Sequence, residues 1–230
     1  MIDIEKATLK LYEWQTPATN YEEREVGGFR LKLSKYRRSN VYPYWGMDGY
    51  LFFKCVKTVP VMLLQERVNG KWKQWMVDDP PNYRAMQIYC EAAEGRVLCA
   101  GLGLGLMLHE LEKNKKVTQV VTVERSQEVI DLVWNYCPKA KSYLVIQDFW
   151  EFTHKNEEQW DMILADLWVS RSKQDKVRLF YEIIPLAVQL KTKWPNAKLV
   201  IHGFQTLSDV KPVSEEMVKL IIGSQIYGRR

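Results

Sequence analysis

The residues best suited to chemistry recur at intervals through the second half of the chain. In "RVLCAGLGLGLMLHELEKN" (Arg96 to Asn114), Gly101, Gly103 and Gly105 alternate between an apolar run and a helix-like run. Glycine turns tightly at positive φ, lets the backbone come close to a ligand and leaves N–H groups open where the next helix starts. Leu102 lies inside that turn. Glu124 ends the run "VTQVVTVE", 19 residues beyond Gly105. A carboxylate at that place accepts hydrogen bonds from both hydroxyls of a ribose and repels a 2′-phosphate. Asp148 follows "SYLVIQ" and Asp166 follows "MILA". Asp148 suits either an adenine amino group or the cap of a helix in "FWEF", and Phe149 and Trp150 beside it suit either a flat ring or the core. Asp166 suits a general base or an orienting acceptor for a substrate nucleophile, with a plain turn aspartate as the alternative. Trp168 offers a face to a cation or packs in the core.

Glycines, Glu, Asp and Asp thus stand at four successive strand ends if the runs before them are strands. The patterning says that they are. "RVLCA", "VTQVVTVE", "SYLVIQD", "WDMILADLW" and "AKLVIHGF" are apolar runs of strand length. Between them lie amphipathic segments, among them "SQEVIDLVWNY" with Ser126 as cap and "DKVRLFYEIIPLAVQLKTKW" with Pro185 as a kink site. Apolar strands alternating with such helices predict an α/β fold, a Rossmann-like, doubly wound, mostly parallel sheet. Ligands bind such sheets beyond the carboxyl ends of the strands.

Ahead of this lies a different texture. "FRLKLSKY" alternates, "YLFFKCVK" is a second strand, and Asn69-Gly70 between the arms of "VMLLQERVNGKWKQWMV" predicts a hairpin, because both residues tolerate positive φ. Residues 1–78 are therefore expected to form a small N-terminal antiparallel β-hairpin region, and residues 79–230 the Rossmann-like domain. Asp79 before Pro80-Pro81 predicts the start of a helix running to about Ala93. The stretch "YPYWGMDGY" (Tyr42 to Tyr50) is dense in aromatics and suits a lid or ordinary packing.

Bulk properties exclude more than they select. The chain has 230 residues, 47% hydrophobic and 27% charged, enough for a core and unlike a disordered chain. The net charge of +5 is spread along the chain, which leaves a nucleic-acid partner open without favouring it. Cys55, Cys90, Cys99 and Cys137 are far apart in apolar contexts and read as buried thiols. His109, His154 and His202 add no metal-ligand spacing, so no metal is expected. No leader or membrane-spanning run is evident, and a cytoplasmic location with no membrane partner is expected. Open edges of the hairpin region would suit a homodimer.

The strand-end constellation resembles the class I S-adenosylmethionine-dependent methyltransferase fold, in its spermidine synthase-like branch, over roughly residues 79–204. The resemblance implies S-adenosylmethionine as cofactor. It implies that Gly101, Leu102, Gly103 and Gly105 cradle it, that Glu124 takes the ribose, and that Asp148 and Phe149 meet the adenine. Asp166 would lie near the methionine part or the reacting amine, as catalytic residue. By their place in the layout, Tyr83 and Arg84, early in the helix after the hairpin, would reach the cofactor's carboxylate, with Tyr83 also a substrate candidate, and Trp168 would lie along the sulfonium or the acceptor substrate. Two departures matter. Polyamine aminopropyltransferases carry an aspartate inside the glycine loop, where this chain has leucines, and two acids after strand four, where "ADLWVSR" has one. The amino-methylating "NPPY" motif is absent as well. A nicotinamide G-x-G-x-x-G would need glycine at position 106, which is Leu106. The expectation is a methyltransferase with an unknown acceptor. The alternatives are a spermidine synthase-like aminopropyltransferase and a non-catalytic module that binds an adenosyl cofactor.

Overall fold

The computed structural model describes residues 8–11, 14–36, 41–46, 49–167 and 173–201. Alternation and turn chemistry build the first half. The strands are β1 (Thr8–Leu11), β2 (Arg24–Val26), β3 (Phe29–Tyr36), β4 (Val41–Gly46), β5 (Gly49–Cys55), β6 (Val59–Val68) and β7 (Lys71–Val77). Asn69 and Gly70 take φ of 52° and 73°, the left-handed pair that a two-residue hairpin turn requires. β2, β3, β6 and β7 form one antiparallel sheet in that order. Its inward residues Leu31, Met62 and Leu64 are each at most 2% exposed.

The first half is not one sheet, as the patterning suggested, but two. β5 leaves the hairpin sheet and sits between β1 and β4, parallel to β1 and antiparallel to β4. The aromatic stretch that suited a lid or ordinary packing contributes strands: Val41–Gly46 pairs with Gly49–Cys55 in register from Val41–Lys54 to Gly46–Gly49. Backbone ladder bonds hold it, and Met47 and Asp48 at its tip lie outside the described residues.

The second half alternates as expected: α1 (Pro80–Glu91), β8 (Gly95–Ala100), α2 (Leu106–Lys113), β9 (Val117–Glu124), α3 (Gln127–Val133), β10 (Ser142–Ile146), α4 (Phe149–Lys155), β11 (Met162–Ala165), α5 (Lys173–Lys193) and β12 (Lys198–Ile201). The five strands are parallel, in the order β10-β9-β8-β11-β12. The chain winds outward from β8 through β9 to β10, then crosses back to β11, so the order reverses beside β8. Successive residues of each strand enter opposite cores. Val97, Cys99 and Leu164 pack with α1, α2 and α3, whereas Leu98, Ala100 and Ile163 pack with α4 and α5. This is the doubly wound α/β fold. Asp79 caps α1 through Asn82 N–H at 3.2 Å, and Ser126 caps α3 through Val129 N–H at 3.3 Å. Pro185 lies inside α5. Cys90, Cys99 and Cys137 are buried free thiols, and burial pushes Cys99 and Cys137 up to about 12. Among the described residues no helix is long and apolar enough to cross a membrane, and no three metal-ligating side chains converge. The "VSEEMVKLIIGSQIYGRR" tail lies outside the described residues.

One buried acid ties the hairpin sheet to its neighbours. Asp78, fully buried, accepts the Met62 N–H at 2.6 Å and the hydroxyl of Thr16. Its own carbonyl accepts from Trp14 Nε1 at 3.1 Å. Burial pushes its carboxyl up to about 6, against the pull of its hydrogen bonds. The folded state therefore binds the proton more tightly than the unfolded chain. The protonated form's contribution is complete below the ordinary value of 3.8 and is lost as pH rises to about 6. Asp78→Asn keeps an acceptor for Met62 and offers an N–H to Thr16. It should flatten the stability profile between these pH values and raise stability at pH 7.5, with a ceiling of about 3 kcal/mol. Urea titrations at pH 4.5 and 7.5 check this; an unchanged slope between them would show that Asp78 does not titrate there.

Candidate functional site

The strand-end residues converge at the point where the sheet order reverses. β8 ends at Ala100, whose carbonyl accepts the Asp166 N–H at 3.0 Å. Gly101 N–H then donates to Val123 O at 2.9 Å, so the turn springs from the seam between β9 and β11. Gly101, Gly103 and Gly105 have φ of 89°, 53° and 68°. Each faces a different part of the molecule. A Cβ on Gly101 would lie 2.6 Å from the Asp166 carbonyl oxygen, one on Gly103 2.6 Å from Met76 Sδ, and one on Gly105 2.4 Å from Cys137 Sγ. Close packing within the chain thus accounts for glycine at 101 and 105, whereas at 103 the neighbour is the end of a flexible side chain. Leu102 and Leu104, 4% and 0% exposed, anchor the turn in the core. Tyr21, stacked on Tyr136 at 4.3 Å, donates its hydroxyl to Leu104 O at 3.1 Å.

Glu124 is the hinge of the site. One carboxylate oxygen accepts Leu102 N–H at 3.0 Å and the other accepts Ser126 N–H at 2.8 Å. The acid is half-buried and holds the glycine turn onto the end of β9. Each carboxylate oxygen has two lone pairs and uses one, so the pair retains capacity for two further donors. Asp166 lies across the turn. It borders a shallow recess lined by Met86 and Tyr89 of α1, Met107 of α2, Leu164 of β11 and Val200 of β12. Among the described residues no side chain bonds or pairs with its carboxylate. Asp166 is the acid of an otherwise apolar lining.

The other candidates are placed differently. Asp148 caps α4, accepting Trp150 N–H at 2.9 Å and Glu151 N–H at 3.4 Å, and its second oxygen faces Arg125 at 3.6 Å. Phe149 is 4% exposed and stacks on Phe152, so its faces are covered by core and not open to a ligand ring. Tyr83 is buried between α1 and α2. Its ring meets Trp14 edge-on at 5.8 Å and its hydroxyl donates to Glu110. Arg84 pairs with Glu91 of its own helix at 3.2 Å. Trp168 lies outside the described residues. The residue that sequence reasoning missed is Met76, whose Sδ accepts the Leu104 N–H at 3.2 Å. Its position three residues before the Asp79 cap is the only trace of it in the sequence.

Comparison with known proteins now has a geometry to meet. Polyamine aminopropyltransferase 1 of Pseudomonas aeruginosa is 33% identical over 87 residues, covering 34% of this chain and 30% of that protein. The chain thus matches under a third of the relative's length. The crystal structure of a dimethyladenosine transferase from Plasmodium falciparum aligns with a TM-score of 0.38 and 17% identity, covering 54% of this chain and 41% of that one. Residues 87–191 match the family described as the Spermine/spermidine synthase domain, a span that opens inside α1, closes inside α5 and contains the glycine turn, Glu124, Asp148 and Asp166.

Proposed function

We propose that the chain is an alkyl transferase that uses an S-adenosyl cofactor, of the aminopropyltransferase kind, with an amine as acceptor. The observation that carries this reading is the Glu124 carboxylate, fixed at the switch point by Leu102 N–H and Ser126 N–H with two lone pairs to spare. Those lone pairs suit the two hydroxyls of a ribose. The match of residues 87–191 to the Spermine/spermidine synthase domain supports aminopropyl over methyl transfer.

When bound, such a cofactor supplies a carbon activated by a sulfonium sulfur. The chain's own residues supply position. Gly101 and Gly103, partly exposed, allow close approach of a ligand to the backbone. Asp166 accepts a hydrogen bond from the attacking amine, aligns its lone pair and takes the proton that the amine loses.

One observation favours methyl transfer as a second reading. The side chains within the turn are the buried Leu102 and Leu104, which give no acid to meet the terminal ammonium of an aminopropyl arm. Titration calorimetry with S-adenosylmethionine, S-adenosylhomocysteine, decarboxylated S-adenosylmethionine and NAD decides between the readings. The decarboxylated cofactor should bind at least about tenfold more tightly than S-adenosylmethionine, a difference of about 1.4 kcal/mol, with no heat from NAD. The reverse preference selects methyl transfer. Silence from all four would mean that the turn is structural and that the adenosyl reading is wrong.

A further inference from the structure

Met76 reaches the glycine turn from the far end of β7, opposite Leu64 and next to the register shift between Leu64 and Gln65. Its thioether fills the place of a side chain at Gly103, with Sδ 2.6 Å and Cε 3.5 Å from the Cβ position, and takes the Leu104 N–H at 3.2 Å. Met76 is only partly buried. A thioether is a weak acceptor, and the methionine side chain is unbranched with three rotatable bonds. The contact is therefore cheap to break and cheap to remake. The other two glycines face a backbone carbonyl and a short buried cysteine, neither of which is the far end of a long flexible side chain.

We propose that Met76 is a stopper on the glycine turn: the sulfur-bearing arm of an adenosyl ligand enters by displacing the thioether from Leu104, so that Met76 sets affinity for the arm and not for the nucleoside. The inference rests on the adenosyl reading above. It adds a binding determinant contributed by the antiparallel sheet, outside the residues matched by the synthase family.

The test uses Met76→Ala and the volume-conserving Met76→Leu, in the full chain. S-Adenosylhomocysteine and adenosine are titrated calorimetrically, and amide hydrogen exchange at Leu104 is followed without ligand. Both variants should exchange faster at Leu104. Met76→Ala should bind S-adenosylhomocysteine about fivefold more tightly, the ratio that one weak neutral hydrogen bond sustains between closed and open turn. Its adenosine affinity should stay within about twofold of wild type. Met76→Leu should shift in the same direction by less, because its bulk remains, and it carries the test if Met76→Ala does not fold. Wild type binding both ligands with the same ratio of affinities in every variant would overturn the stopper alone. Wild type binding neither ligand would overturn the adenosyl reading and the stopper with it.

Discussion

Alanine at position 101 is expected to destabilise the fold by about 2–5 kcal/mol, the sum of a left-handed backbone penalty of about 1–2 kcal/mol and an overpacking cost of about 1–3 kcal/mol. The φ of 89° already strains any side chain, and the new Cβ would stand 2.6 Å from the carbonyl oxygen of Asp166. That oxygen is backbone, one peptide beyond the last bond of the β8–β11 ladder, in which Asp166 N–H donates to Ala100 O at 3.0 Å. Relief requires the peptide after Asp166 to turn or the glycine turn to shift, and either displaces backbone. Gly70→Ala is the control. Its φ is 73°, but nothing lies within 4 Å of the added Cβ, so it should cost only the conformational part, about 1–2 kcal/mol. Urea unfolding of both variants measures the difference. Equal costs would mean that the contact with Asp166 is not formed in solution.

Replacement of Glu124 by alanine should abolish adenosyl binding by at least about thirtyfold, or about 2 kcal/mol, and should also destabilise the ligand-free chain. The second effect follows from the first structural role of the acid. Two backbone N–H groups, of Leu102 and Ser126, lose a charged acceptor, and each such bond is worth about 1.5–3 kcal/mol. Partial exposure of the site lets water take up part of this, so a net loss of about 2–3 kcal/mol is expected. Glu124→Gln is the sharper probe. Its amide retains one acceptor oxygen but turns a donor toward the other N–H, so it should bind ligand poorly while unfolding between wild type and Glu124→Ala. Thermal melts without ligand, beside calorimetric titrations with S-adenosylhomocysteine, separate the two roles. A Glu124→Gln chain with wild-type affinity would remove the ribose contact from the reading and leave Glu124 as a turn clamp.

The strand-end positions of Glu124 and Asp166 were legible in the sequence, but their partners were not. Apolar runs ending in Glu124 and Asp166 identify strand ends, because a strand of a doubly wound sheet is buried along its length and meets solvent only where it stops. Asn69-Gly70, Asp79 and Ser126 were legible for a similar reason, since each meets a local backbone requirement within a few residues. What eluded the sequence is contact at long range. Periodicity assigns a residue to a face without naming what covers that face. Hence Phe149 could be read as a ligand platform when it packs on Phe152, and Tyr83 as a substrate contact when it binds Glu110. The pairing of β1 with β5 joins segments more than forty residues apart in register Thr8–Phe52, which no local pattern encodes. Met76 is the extreme case, a methionine in an alternating strand whose role depends wholly on a turn that follows it by 28 positions.

The three contacts of the glycine turn also decide how the site can deform. Toward Asp166 the turn meets a backbone carbonyl just past the end of β11, and toward Cys137 a short thiol packed in the core. Only toward Met76 does it meet the loose end of a long side chain. The turn is thus stiff along two directions and compliant along one. Strain on the turn is expected to be relieved along that softer axis, between the parallel sheet and the end of the hairpin. On the adenosyl reading proposed above, an entering ligand would meet the turn at its one yielding side.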